Sequence, residues 1–368
     1  MNILQNKKNK NTRNPNIDFI RIIGMFSIVI NHVLTHGRAM VKYSQYGELK
    51  LLNILGMWHV CSFGIVSGLV GAKTHKYSNL LYLWIVVVFY SVILYFKYNG
   101  LNNTIFNKVF LSIIFPAIHN QYWYFTCYLG IYPFLPFINT GISILTQVEF
   151  KKCIYFIIGI FYIWASCFID PFSQHFGHSP FCLLIFYIFG AYLYKYIFYM
   201  NSTKMFKISI CVISFSLYVI ISYVSYKIYI KQSFYQLDSI INKILQVQVN
   251  SFPVLLQTLL VVLFISQLKF NKYFSRIITF IGPLTFDVYL IHENNYVRGN
   301  YMRNIFNQET TNLKLFSVLS LIFKKAIFIF SVCIFIAFIR NKIFNFFKIK
   351  NICNKFEIIS TKIMNYII

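Results

Sequence analysis

Long apolar stretches separated by short polar loops recur along the whole chain. A helix needs about 20 apolar residues to cross the hydrocarbon core of a bilayer, so stretches near this length predict membrane spans. The predicted spans are ten: 17–36, 51–72, 79–97, 120–140, 153–169, 179–199, 206–230, 251–268, 275–293 and 314–340. A shorter stretch at 109–118, interrupted by Pro116, is typical of an interfacial or re-entrant segment. The pattern therefore predicts an all-α integral membrane protein, a polytopic bundle of about ten transmembrane helices.

The composition supports this fold class. Of 368 residues, 58% are hydrophobic and only 12% are charged, which excludes an ordinary soluble domain. The formal net charge of +25 would suit nucleic-acid binding if it were gathered in one patch. The 34 Lys and Arg residues are instead spread over the loops between apolar stretches, as in proteins whose basic loops stay in the cytoplasm. We therefore expect no nucleic-acid partner, and expect attraction for anionic membrane lipid or a polyanionic substrate.

The basic loops also predict how the chain is oriented. Four basic residues precede the first span, so the positive-inside rule places the N-terminus in the cytoplasm, and ten spans return the C-terminus to the same side. Arg298 and Arg303 oppose the rule locally, because they fall in a loop on the outer side. The expected organisation is a basic cytoplasmic N-terminal segment (1–16), one transmembrane domain (17–340) and a basic, amphipathic cytoplasmic tail (341–368).

The first span carries ionisable side chains within DFIRIIGMFSIVINH, residues 18–32. Arg21 and His32 are eleven residues apart, so they project from one face of a helix, about 16 Å apart along its axis. Arg21 by itself suits a basic anchor at the inner boundary, and His32 by itself suits an interhelical hydrogen bond. Asp18, three residues before Arg21, is close enough to pair with it. From this helix alone, structural and functional interpretations stay open.

Four stretches, taken together, resemble the acyltransferase 3 family of integral membrane acyltransferases, in the same order along the chain. The pair Arg21-x10-His32 matches the family's basic residue and histidine, and FGIVSGLVGAKTHKYSNLLYLW (63–84) is similar to its F-x-x-S-G segment and following basic loop. The stretch HNQYWYFTCYLGIYPFLPFIN (119–139) resembles its aromatic Y-W-Y/F motif. GPLTFDVYLIHENNYVR (282–298) resembles a late helix of polysaccharide-modifying members. The resemblance covers roughly residues 15–340.

The resemblance implies a membrane O-acyltransferase of the EC 2.3.1 type, in the cytoplasmic membrane of a bacterium. Such an enzyme moves an acyl group, usually acetyl, from cytoplasmic acyl-CoA to a hydroxyl of a cell-surface polysaccharide or lipid-linked glycan. Acetyl-CoA is then a donor substrate, and no bound cofactor is expected. His32 is the candidate general base or transient acyl carrier, and Arg21 is the candidate ligand of the donor's phosphate. Their separation is about the reach of the pantetheine arm.

One loop departs from the family pattern. Members often carry Arg-x-Arg after the second span, where this chain has Lys73-Thr74-His75-Lys76. Lysine keeps the charge but loses the bidentate grip of guanidinium on phosphate, so Lys73 and Lys76 are weaker donor-binding candidates. Asp287 also stands where a small residue is expected, with no role evident from the sequence.

Other polar residues within the predicted spans are candidates for substrate binding. Trp123 and Tyr124 suit either an interfacial aromatic belt or stacking on sugar faces. Ser67, next to Gly68, suits either close helix packing or room for the acyl thioester.

Four histidines are expected at similar depth in the outer leaflet: His32, His59, His119 and His292. They predict a polar acceptor vestibule, with His292 and the adjacent Glu293 as the best further candidates. No two of the four are spaced four residues apart, and the eight cysteines show no metal-ligand spacing. We therefore expect neither a metal ion nor a disulfide.

The alternative from another functional class is a polysaccharide transporter or flippase without acyl chemistry. Transporters commonly show internal repeats and paired broken helices, and the sequence suggests neither. A glycan polymerase would typically carry a long outer loop, whereas the predicted outer loops have about 20 residues or fewer.

Overall fold

The computed structural model of the protein describes residues 13–71, 76–100, 110, 113–116, 121–165, 172, 177–197, 203–235 and 248–367. Within these ranges, every element of secondary structure is a helix. Among the described residues, seven helical segments are long and apolar enough to cross a membrane: Pro15–Thr35, Glu48–Gly71, Tyr77–Asn99, Trp123–Ile144, Lys204–Ile230, Lys272–His292 and Leu315–Phe346. Two shorter apolar helices are Pro180–Tyr196 and Phe252–Ser266. The prediction of an all-helical polytopic protein is confirmed, while ten spans and cytoplasmic termini stay predictions.

The first helix, α1 (Pro15–Thr35), is the centre of the bundle. Asn14 caps it by accepting a hydrogen bond from the backbone N–H of Asn16, and Pro15 suits the first turn, where no intrahelical partner for its nitrogen exists. Among the described residues, the helix packs against seven other α-helices, and Val29 and Val33 are fully buried. The side chains of α1 therefore face protein on most sides, which lets polar residues lie at membrane depth.

The second span is broken. After the short helix α2 (Ala39–Lys42), the span consists of α3 (Glu48–Gly56) and α4 (His59–Gly71), which are separated at Met57 and Trp58. The third span, α5 (Tyr77–Asn99), is continuous and ends at Gly100, whose φ of +64° favours glycine. The sequence predicted an uninterrupted second span, because its apolar pattern continues through the break.

The middle of the chain adds further helices. They are α6 (Trp123–Ile131), a 3₁₀ turn (Tyr132–Phe134), α7 (Leu135–Ile144), α8 (Gln147–Ile158) with a π-helical end (Gly159–Trp164), α9 (Pro180–Tyr196), α10 (Lys204–Tyr235) and α11 (Phe252–Ser266). Gly68 on α4 and Gly190 on α9 allow these two helices to cross closely. A Cβ on Gly68 would lie 2.0 Å from the Tyr187 carbonyl oxygen, and one on Gly190 would lie 2.0 Å from that of Ile65. Only glycine fits at this crossing.

The last part of the chain contains a second broken span. The helices are α12 (Lys272–Ile281), a 3₁₀ turn (Gly282–Leu284), α13 (Thr285–His292), α14 (Asn295–Asn300), a 3₁₀ turn (Met302–Asn304), α15 (Leu315–Phe346) and α16 (Ile349–Ile367). The break at Gly282 lies against α1, because a Cβ there would lie 2.5 Å from the Cβ of Asp18. The helix α16 occupies the predicted tail and packs against α5, where Glu357 accepts a hydrogen bond from the backbone N–H of Tyr77.

Asp287, unexplained by the sequence, forms a buried ion pair. Arg340 on α15 donates to both carboxylate oxygens of Asp287 at 2.6 and 2.7 Å, and the Tyr90 hydroxyl donates to one of them at 2.7 Å. Asp287 and Arg340 are 1% and 4% exposed. The pair ties α13 to α15 and α5, the helices that fix the position of His292.

Candidate active site

A cavity of about 630 Å³ runs beside α1. Its wall includes Arg21 towards one end of the helix and His32 towards the other, so one cavity contacts both predicted residues. Its size lies within the range of about 300–1,000 Å³ that is usual for small-molecule sites. Both helix breaks contribute to the wall, Met57 from the first and Gly282 from the second.

The Arg21 end of the cavity is basic. Asp18 is fully buried and accepts hydrogen bonds from Arg13 and from Arg21 at 2.7 Å. Lys350, at the start of α16, lines the same cavity. Two arginines meet the Asp18 carboxylate and a lysine lines the same cavity, which leaves net positive charge for an anionic ligand. The sequence predicted the Asp18–Arg21 contact, but it gave no signal that Arg13 pairs with Asp18 or that Lys350 lines the cavity.

At the opposite end, His292 supports His32. The His292 Nδ1 lies 2.5 Å from the Val288 carbonyl oxygen, which only accepts, so this nitrogen carries the proton. The Nε2 of a neutral His292 must then accept, and His32 Nδ1 lies 3.0 Å from it. His32 Nδ1–H is thereby the donor, and its Nε2 keeps a free lone pair. In the described ranges, no hydrogen bond engages that Nε2 atom.

Glu293 provides the charge behind His32. One carboxylate oxygen lies 3.0 Å from His32 Nδ1, and the other accepts from Arg298 at 2.7 Å. The ion pair with Arg298 favours the carboxylate form of Glu293, which is placed to stabilise positive charge on His32.

His36 is a neighbour that the sequence reading missed. It follows His32 by four residues, the spacing that places two side chains on one helix face, and their ring centroids are 4.6 Å apart. Burial and the adjacent His32 lower the pKa of His36 to about 4, so it is neutral at pH 7. Ligand atoms of His32, His36 and Glu293 lie within 4.8 Å of one another, and these three could hold a divalent ion.

A buried polar pair lies on the cavity wall close to His32. Asn31, the neighbour of His32 on α1, and His59, at the start of α4, lie 2.8 Å apart between Nδ2 and Nε2, and both line the cavity. His59 was predicted at the depth of His32, and the hydrogen bond to Asn31 explains why the bundle accommodates it.

The remaining predicted residues divide into two groups. Trp123 and Tyr124 line the cavity. Ser67 instead donates to the Phe63 carbonyl oxygen of its own helix at 2.9 Å, and Lys76 is exposed, so neither lies on the cavity wall. Lys73, His119 and half of 109–118 lie outside the described residues.

A family model described as an acyltransferase domain matches residues 14–340, nearly the whole chain. The chain belongs to the acyltransferase 3 family. The family assignment makes this acyltransferase 3 protein a membrane acyltransferase in general terms, and it agrees with the resemblance of the four motifs. Comparisons with curated proteins and with solved structures found no match.

Proposed function

We propose that the protein is an O-acetyltransferase that moves acetyl from cytoplasmic acetyl-CoA to a hydroxyl of a cell-surface polysaccharide or lipid-linked glycan. The observation that carries the proposal is the single cavity with a basic cluster at one end and a supported histidine at the other. A donor held inside and an acceptor presented outside need such a conduit. On this proposal the Arg21 end faces the cytoplasm.

The basic end suits coenzyme A. Arg13, Arg21 and Lys350 approach it from the N-terminal segment, α1 and α16, and would contact the donor's phosphates. The pantetheine arm would then extend along α1 and bring the thioester towards His32, over the roughly 16 Å that separate the two residues along the helix. Asp18 holds Arg21 in place by its ion pair.

The supported histidine suits general-base catalysis. His32 Nε2 would take the proton of the acceptor hydroxyl as its oxygen attacks the thioester carbonyl carbon. A C–O ester bond forms, the C–S bond breaks, and the proton passes from His32 to the departing sulfur of coenzyme A. Glu293 and His292 act through His32 by fixing the proton on Nδ1 and by stabilising the transient imidazolium.

The runner-up, a transporter without chemistry, gains one argument from the structure. Two broken spans line one cavity, a feature that transporters also show. Membership of an acyltransferase family, together with a histidine supported in the manner of a general base, favours acyl transfer.

The decisive experiment measures radiolabel transferred from [acetyl-¹⁴C]acetyl-CoA to surface glycan, in membranes that contain the intact chain or a variant at equal protein level. His32→Ala should abolish transfer. His32→Asn, whose side-chain N–H can replace the donor at Nδ1 but which has nothing at Nε2, should be equally inactive while keeping the fold. Label trapped on the protein without acceptor would make His32 an acyl carrier. If the intact chain transfers no label to glycan, acyl transfer is refuted and the transporter becomes the preferred function.

A further inference from the structure

A second, basic cavity adjoins the His32 end of the candidate active site. It has a volume of about 770 Å³, and Arg38, Arg298 and Arg303 line it. We call these three residues and the space between them the arginine pocket. Thr35 and His36 line both cavities, so the arginine pocket adjoins the space around His32.

The arginine pocket carries uncompensated positive charge. Arg298 is paired with Glu293 at 2.7 Å. Arg38 and Arg303 are exposed, and within the described ranges neither has a carboxylate partner. Among the described residues, the lining of the pocket contains no acidic residue. Two free guanidinium groups therefore face the space next to the candidate base.

Arginine is rare in this chain, so the presence of three arginines in one pocket is informative. The sequence contains 27 lysines and only seven arginines. Guanidinium differs from ammonium by offering two parallel donors to a carboxylate or phosphate. The choice of residue therefore points to a planar or tetrahedral oxyanion.

Two unfavourable features argue against a cluster of arginines without function. On the proposed orientation, all three arginines lie outside the membrane, where the positive-inside rule disfavours them. Arg38 also has a φ of +60°, a left-handed conformation that glycine or asparagine adopts more readily. Neither topology nor backbone geometry accounts for arginine at these positions.

We propose that the arginine pocket binds an anionic group of the acyl acceptor, a carboxylate or a phosphate, and so selects an acidic glycan. This inference rests on the proposed function, because it assigns specificity to the same site. The anion would contact Arg38 and Arg303, and the hydroxyl to be acylated would then lie across Thr35 and His36, towards His32.

The test uses the full chain in nanodiscs and the surface glycan of the cells that carry this gene. The glycan is supplied untreated, with its carboxyl groups reduced to alcohols, or with its phosphates removed, and acetyl transfer from acetyl-CoA is measured for each. Removing the recognised anion should lower kcat/KM by about tenfold, the scale of a charge-assisted hydrogen bond. The treatment that has the effect identifies carboxylate or phosphate as the source.

Variants test whether the arginine pocket causes the preference for the anionic glycan. The double variant Arg38→Gln/Arg303→Gln should reduce the discrimination between untreated and treated glycan from about tenfold to about twofold or less. Arg276→Gln, which removes an exposed arginine from α12 at the opposite end of α1, should leave the discrimination between untreated and treated glycan unchanged. Equal transfer to all three glycans would overturn the inference and leave the proposed function standing. About tenfold discrimination that persists in the double variant would also overturn it. No transfer even to untreated glycan would refute both.

Discussion

Replacing Glu293 by glutamine tests whether the charge behind His32 contributes to catalysis. The substitution keeps size and one carbonyl oxygen but removes the negative charge 3.0 Å from His32 Nδ1. Unit charges about 4 Å apart interact by about 4 kcal/mol at an effective dielectric constant of about 20. His292 Nε2 stays as an acceptor for His32, so we assign about half of this energy, about 2 kcal/mol, to the lost charge. Since about 1.4 kcal/mol is tenfold, kcat should fall about 30-fold.

The assay follows label from acetyl-CoA into glycan under saturating donor and acceptor, so that kcat and KM are separated. The KM for acetyl-CoA should change less than about twofold, because Glu293 lies at the opposite end from the basic cluster. Glu309→Gln is the matched control, since it removes a carboxylate that pairs with Lys325 at 2.8 Å and has no contact with His32. A kcat for Glu293→Gln within threefold of the intact chain, or an equal loss in Glu309→Gln, would refute the assignment.

Three further expectations follow from the same geometry. Lys350→Gln should raise the KM for acetyl-CoA about three- to fivefold with kcat retained, and Lys355→Gln should not; an unchanged KM would exclude Lys350 from donor binding. Asp287→Ala or Arg340→Ala should destabilise the protein by about 3–5 kcal/mol in thermal unfolding, while the double change to Leu and Met should recover much of that loss; additive losses would contradict a coupled pair. Chelation by EDTA should leave transfer intact, since the base needs no ion, and a loss restored by Zn²⁺ would place a metal on the cluster around His32.

The fold class was accessible from the sequence for a simple physical reason. In lipid, every backbone polar group must be satisfied within the segment, so a long apolar run has few alternatives to a helix. The same reasoning does not predict where a helix is interrupted within a span. Met57 and Gly282 interrupt spans whose apolar pattern continues, and both residues line a cavity inside the protein, where a broken helix is tolerated.

The pairing of Arg21 with Asp18 was predictable because the two residues belong to one turn of one helix. His36 was predictable by the same rule, and the four-residue spacing from His32 was the signal that the sequence reading missed. Lys350 and Arg13 were not predictable, since their approach depends on where α16 docks and how the N-terminal segment turns. Local spacing gives contacts within a helix; contacts between helices need the packed bundle.

The contacts of His32 with His292 and Glu293 show most clearly what the sequence does not predict. His292 and Glu293 were candidates because they are polar at membrane depth, but their distance from His32 is set by elements far along the chain. The Asp287–Arg340 pair fixes α13 against α15, and α13 in turn packs against α1, so that His292 meets His32. A buried ion pair that does not itself line the cavity thereby positions the candidate base, and its loss should affect kcat even in protein that remains folded. Measuring kcat at a temperature where Arg340→Ala is still folded separates the two effects: activity per folded molecule equal to the intact chain would limit the pair to stability.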